Sequence, residues 1–243
     1  PYFYADPAGL ITSPIGIPSR HTGHTRYVRV YTPPGYFENH LKRYPVLYMH
    51  DGSNLFFPDE SFLGTTWEVD ETMELLDAMS VIDKALVVGI YADQRTDEYT
   101  QPGYEGYGSF IVDELKPRID ASFRTLTAAD KTAVMGSSLG GVVSMYLAWQ
   151  WPEVFGKAAC LSSTFTWRDD LMERIGVEPA RNLRLYLDSG WPGDNYEVNR
   201  SMRDLLVSRG YVEGKDLLYL AFPNDLHSER YWAMRCHIPF QFL

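Results

Sequence analysis

Thr132-Ala133-Val134-Met135-Gly136-Ser137-Ser138-Leu139-Gly140-Gly141-Val142-Val143-Ser144-Met145-Tyr146-Leu147-Ala148-Trp149 decides the fold of this chain. Its β-branched and apolar opening predicts a buried strand over 132–136. From Leu139 to Trp149 it is an apolar helical stretch. Between the two stands G-x-S-x-G, with Ser138 at the centre. A strand that turns directly into a helix forces the central serine into a strained backbone conformation. The glycines two residues before and after it let strand and helix approach without clashing Cβ atoms. A serine presented in this way is a candidate nucleophile.

The flanking sequence supplies a sheet around that turn. Tyr27–Tyr31 alternates polar and apolar residues and predicts a strand with one wet face. Residues 44–49, 85–91, 157–161, 183–187 and 217–221 are short, nearly continuous apolar runs. Such strands suit a parallel sheet covered on both faces. Helices are expected over 108–120, from 139, over 196–209 and over 228–240, with Pro117 kinking the first and Pro239 fraying the last. Strands alternating with helices make an α/β architecture. Without an internal repeat or linker, residues 1–243 are expected to form one domain, with residues 1–23 as an extended arm rich in Pro, Gly, Ser and Thr.

A serine hydroxyl needs a base within hydrogen-bond reach, and the base needs an orienting acid. The α/β-hydrolase chain order is serine, acid, histidine. His227 follows the strand at 217–221 and opens the last helix, so it is the candidate base. The acid should follow the strand at 183–187. Asp194, deeper in that loop, is the first choice; Asp188, at the strand end, and Glu197 are the alternatives. Two backbone N–H groups should face the developing oxyanion. Leu139 is the expected first donor. Ser53 is the expected second, or else Gly52, whose missing side chain would let the loop at 50–56 curl over the site.

Composition narrows the partners. The chain has 243 residues, 45% hydrophobic and 22% charged, with a formal net charge of −10. That balance disfavours nucleic acid and anionic membrane surfaces. No apolar run approaches the ~18 residues of a membrane span. Pro7, Pro14 and Pro18 interrupt the first twenty residues, which do not read as a signal peptide. The chain begins at Pro1, as a trimmed chain would, and the expected location is cytoplasmic. Cys160 and Cys236 read as unpaired small hydrophobes. His21-Thr22-Gly23-His24 lacks nearby Cys or acidic residues in sequence and reads as a solvated loop, not a metal site. No cofactor is expected.

Several segments together resemble the "Putative esterase" family of α/β-hydrolases, the group of esterase-D-like, feruloyl and enterochelin esterases. Tyr48–Phe56 is similar to its D-G-x-N-x-F loop, Trp67–Thr72 to its W-x-V-D segment and Arg95–Tyr99 to its R-x-x-E-Y stretch. Gly136–Gly141 matches G-x-S-x-G-G, and His227, Trp232 and Arg235 match its closing H-x-x-x-x-W-x-x-R helix. The resemblance implies an α/β-hydrolase fold, with a mostly parallel central sheet and helices on both faces. It also implies a serine carboxylesterase with Ser138 as nucleophile, His227 as base and Asp194 as acid. One departure is that Asp194 lies four residues after Gly190, where the family's acid often lies three after.

Trp67, Phe165, Trp167 and Trp191 fall in loops expected around the site, and aromatic walls suit an aryl or sugar ester. Trp67, Trp167 and Trp191 are therefore candidate substrate-binding residues. The expected partner is a small-molecule ester. An acyltransferase with the same triad, or a non-catalytic binding module of the same fold, are the competing functions.

Overall fold

The computed structural model describes residues 8–243. Its organising element is one mixed sheet, and the two-residue alternation of strand side chains divides the core in two. Val46 and Tyr48 of one central strand point into one cluster, with Val88, Val134, Val142, Phe110 and Leu187. Leu47 and Met49 of the same strand point into the other, with Val87, Met135, Met73, Trp232 and Phe240. Every residue of that strand is therefore buried, which explains its unbroken apolar sequence.

In chain order the strands are β1 (Leu10–Ile11), β2 (Ile15–Pro18), β3 (Thr25–Thr32), β4 (Val46–Met49), β5 (Leu86–Ile90), β6 (Thr132–Ser137), β7 (Lys157–Leu161), β8 (Arg184–Trp191) and β9 (Leu217–Pro223). Their order across the sheet is β1-β3-β5-β4-β6-β7-β8-β9, with β2 also on β3. The pairs from β5 through β9 are parallel, while β3 runs antiparallel to β1, β2 and β5. The helices are α1 (Val69–Ala78), α2 (Arg95–Glu98), α3 (Gly103–Phe110), α4 (Lys116–Ser122), α5 (Leu139–Gln150), α6 (Leu171–Val177), α7 (Tyr196–Ser208), α8 (Glu229–Arg235) and α9 (His237–Phe242). Residues of α3 to α7 pack in the first cluster and those of α1, α8 and α9 in the second. This is the mostly parallel α/β-hydrolase sheet, covered on both faces.

The order of strands also locates the site. From β4 the chain steps to β5 on one side, and β6 then lies on β4's other side, leading on to β7, β8 and β9. In open α/β sheets a crevice forms beyond the carboxyl ends of strands where the order reverses. The segments leaving β4 and β6 there are His50–Asn54 and Ser138–Gly140.

Four boundaries differ from the sequence expectation. The described part of the arm, from residue 8, joins the sheet through β1 and β2, because β3 offers its edge to both; residues 1–7 lie outside the described residues. The helix expected over 108–120 runs from 103 to 122, with a π-helical turn at Ile111–Leu115 just before Pro117. A wider turn there absorbs the backbone donor that proline lacks. The strand expected to stop at Leu187 continues to Trp191, since Ser189, Gly190 and Trp191 pair with Ala221, Phe222 and Pro223 of β9. The single final helix is two, α8 and α9, meeting at Cys236. Among the described residues no helix is long and apolar enough to cross a membrane.

Candidate active site

The turn from β6 into α5 is held by close backbone packing. Ser138 has φ 57° and ψ −120°, a strained conformation for a residue with a Cβ. A Cβ on Gly136 would lie 2.7 Å from the Gly140 carbonyl carbon, so this position admits only glycine. The Ser138 amide donates to the Leu161 carbonyl at 2.8 Å, and the amides of Gly141 and Val142 donate back to the Ser138 carbonyl at 3.2 and 3.3 Å. The Leu139 N–H lies in the first turn of α5, where amides have no partner within the helix and the helix dipole favours negative charge.

The loop leaving β4 faces that helix start. Asp51 has φ 55°, and Gly52–Asn54 form one 3-10 turn closed by the Asn54 amide on the Asp51 carbonyl at 2.8 Å. Gly52 sits where the loop meets β5. A Cβ there would lie 2.5 Å from the Gly89 backbone, so its glycine lets the loop press onto β5. Asp51, Ser53 and Asn54 of this loop line the cleft, together with Ser138, His227, Arg95 and Trp232 around about 570 Å³. Arg95 holds the loop from below, donating to both oxygens of Asp51 at 2.7 and 2.8 Å. The Asp51 amide donates to the Tyr99 hydroxyl at 3.1 Å. His50 is wholly enclosed; burial, reinforced by the nearby Arg95 charge, pushes its pKa down to about 3. It is a neutral packing residue against Tyr107.

Asp194 and His227 come together from the loops after β8 and β9. His227 Nδ1 donates to Asp194 Oδ1 at 2.6 Å. Asp194 is buried, 1% exposed, whereas the His227 side chain is 39% exposed at the cleft. The second Asp194 oxygen accepts from the Gly190 amide at 2.9 Å and from Ser162 Oγ at 2.5 Å. Burial alone would raise the Asp194 pKa, but the bonds from His227, Ser162 and Gly190 outweigh it and hold the carboxyl below its ordinary value. The His227 ring meets the face of Trp232 edge-on at 4.9 Å. Among the described residues no hydrogen bond joins Ser138 Oγ to the imidazole, and both face the shared cleft, as nucleophile–base pairs commonly do without substrate.

Asp188, the first alternative acid, does other work. It lies inside β8, not at its end, and is fully buried. Arg235 donates to both its oxygens at 3.0 and 3.1 Å, and Tyr186 Oη donates at 2.8 Å. Burial pushes its pKa up to about 6 against the pull of Arg235. Glu197, the other alternative, is exposed and pairs with Arg200.

The three tryptophans separate. Trp67 is 3% exposed and lies beneath Trp232, ring centroids 5.9 Å apart. Its expected place in the substrate wall is corrected to core, because Trp232 packs on its ring and its amide is tied to the Asn54 carbonyl two residues before α1. Trp167 is 49% exposed and lines a second hollow of about 530 Å³ with Leu139, Phe165 and Val198. Trp191 is exposed and packs edge-on against Tyr196, outside the lining of both hollows. A third hollow, of about 260 Å³, lies at the opposite end of the strands beside Val46, Ala85 and Lys157. His21 and His24 lie in an exposed turn, where they contact Asp113 and Asp93. Near His24, Arg26 already supplies the cation for Glu98. Sequence reasoning passed over Asp51, Arg95, Ser162 and Arg235 as parts of the site. The first two and the last stand in the motifs quoted above; Ser162 carried no signal.

Comparison with known proteins agrees with this architecture. A family described as "Putative esterase" matches residues 19–232. An endo-1,4-beta-xylanase/feruloyl esterase of Xylanibacter ruminicola is 32% identical over 204 residues, 81% of this chain and 27% of that protein. A solved ferulic acid esterase superposes with a TM-score of 0.81 over 97% of this chain and 98% of its own, at 17% identity. The enterobactin esterase of Shigella flexneri superposes with a TM-score of 0.78 over 94% of this chain and 57% of its own, at 19% identity. At those identities the superpositions show the shared fold, and the chain spans only part of the first and third proteins. Since the family match runs from the end of β2 into α8 and takes in every side chain lining the cleft, the chain belongs to the "Putative esterase" family and is a carboxylic ester hydrolase.

Proposed function

We propose that the chain hydrolyses aryl or sugar esters through an acyl-enzyme on Ser138. The observation that carries this is the 2.6 Å bond from His227 to the buried Asp194, beside a Ser138 held at positive φ in the same cleft. His227 takes the Ser138 proton as Oγ attacks the ester carbonyl carbon. Asp194 fixes the imidazole tautomer and stabilises the imidazolium. The Leu139 and Ser53 amides receive the oxyanion. His227 then returns the proton to the leaving alcohol, and water attacks the acyl-enzyme by the same route.

The walls support the substrate class. The hollow beside Leu139 is built from Phe165, Trp167 and Val198 and suits a flat apolar acyl group. The cleft on the other side of Ser138 carries Asn54, Glu60, Ser61 and Glu229, groups that bind hydroxyls of an alcohol. The names of the feruloyl and ferulic acid esterase relatives point the same way. The test compares p-nitrophenyl acetate and butyrate hydrolysis by the wild type and Ser138→Ala, then a panel of aryl, sugar and thioester substrates. A fall of about 10³-fold or more is expected in the variant; equal turnover by both proteins would refute the assignment.

A further inference from the structure

We infer that Ser162 is a positioning residue that transmits the Arg235 charge to Asp194 and keeps that carboxylate ionised for His227. The inference rests on the triad proposed above and concerns what lies behind it.

Ser162 directly follows β7, fully buried, with φ 45°. Three side chains converge on its single oxygen. Trp232 Nε1 donates at 3.0 Å and Arg235 donates at 2.6 Å. Indole and guanidinium groups are donors only, and the guanidinium keeps its protons at any ordinary pH. Both lone pairs of the hydroxyl are thereby taken. Its one proton must point to the third neighbour, Asp194 Oδ2, at 2.5 Å. The direction of this hydrogen bond is thus fixed by its surroundings.

Two consequences follow for Asp194. Its oxygens divide their work: Oδ2 accepts from Ser162 and the Gly190 amide, leaving Oδ1 to His227. The direct approach of Arg235 to Oδ2 is 3.5 Å, and its guanidinium is committed to Asp188 and Asp225. The serine therefore adds a hydrogen-bonded path, with steps of 2.6 and 2.5 Å, to the longer 3.5 Å ion pair between Arg235 and Asp194. Each donor to the carboxylate also favours its charged form, so Asp194 stays an acceptor for the His227 N–H.

The test is steady-state kinetics across pH on p-nitrophenyl butyrate for Ser162→Ala and Ser162→Gly, beside the wild type, Ser138→Ala and Asp194→Asn. Glycine suits φ 45° better than alanine, so the two Ser162 variants differ in stability while both lack the hydroxyl. The expected result is a fall in kcat of about 10- to 100-fold in both, with KM within about twofold, and an acidic limb displaced to higher pH. Unchanged kcat and unchanged limb would overturn the relay, as would a loss in the alanine variant that glycine restores. If Ser138→Ala and Asp194→Asn abolish turnover while both Ser162 variants keep it, the relay alone fails. If Ser138→Ala retains full turnover, the triad fails and the relay with it.

Discussion

Arg95 grips Asp51 through both carboxylate oxygens, at 2.7 and 2.8 Å, and so ties the segment after β4 to α2. Asp51 stands in the left-handed region directly before Gly52 and Ser53. The pair therefore sets where the Ser53 amide points, without itself reaching the Ser138 hydroxyl. A two-pronged grip needs a planar guanidinium, and lysine supplies only a point charge. Arg95→Lys is expected to lower kcat at least about tenfold, because the proposed oxyanion donor loses its fixed position. KM for a small ester should change little. A variant with wild-type kcat would show that Arg95 does not position this loop.

The two buried aspartates of the β8 region should separate by substitution. Asp194→Asn keeps the shape of the acid but no longer fixes the His227 tautomer, and kcat should fall by about 10⁴-fold with the melting temperature nearly unchanged. Asp188→Asn removes the charge from a buried ion pair with Arg235, which is 2% exposed at its side chain. The expected cost is roughly 3 kcal/mol, a melting point lower by about 6–12 °C for a chain of this size. Reversal of the two phenotypes would transfer the acid's role to Asp188.

Burial of His50 predicts a dependence of stability on pH. Its folded-state pKa, about 3, lies below the ordinary unfolded value of about 6.5. Between those values the unfolded chain takes up a proton and the folded one does not. Stability is therefore lost as pH falls through 6.5, with a slope of at most about 1.4 kcal/mol per pH unit from this residue. Asp188, raised to about 6, acts in the opposite sense over part of the range, so the contribution is isolated by comparison. Thermal unfolding of the wild type and His50→Gln from pH 7.5 to 4.5 should show the two curves converging or crossing on acidification. Parallel curves would show that His50 is not held neutral.

What could be read from the sequence was what short-range geometry dictates. Gly136 and Gly140 announce the β6–α5 turn because the contact that excludes a Cβ lies within five residues. The unbroken apolar run in β4 announces a strand buried on both faces. What escaped depends on long-range pairing. The continuation of β8 to Trp191 is imposed by β9, thirty residues later in the chain, and it converts Asp188 from a strand-end residue into an interior one. Trp67 looked like a wall because it lies in a loop, but Trp232, far along the chain, covers it. Ser162 offers no signal at all: its role exists only where α8 brings Trp232 and Arg235 onto it.

Trp167 is the aromatic residue with which the substrate assignment can be probed. It forms one wall of the hollow that begins at Leu139, next to the nucleophile, and half its surface is open to an incoming group. Stacking an aryl acyl group there would bury part of that surface, with a gain on the order of 1 kcal/mol. Trp167→Ala should therefore raise KM for an aryl ester by roughly fivefold, since 1.4 kcal/mol is a factor of ten, and leave KM for an acetate ester unchanged, because acetate is too short to reach the ring. Trp191→Ala, outside the hollow, should alter neither. Equal effects of Trp167→Ala on both esters would mean that the ring serves the shape of the loop, and an effect confined to Trp191→Ala would move the acyl group to the far side of α7.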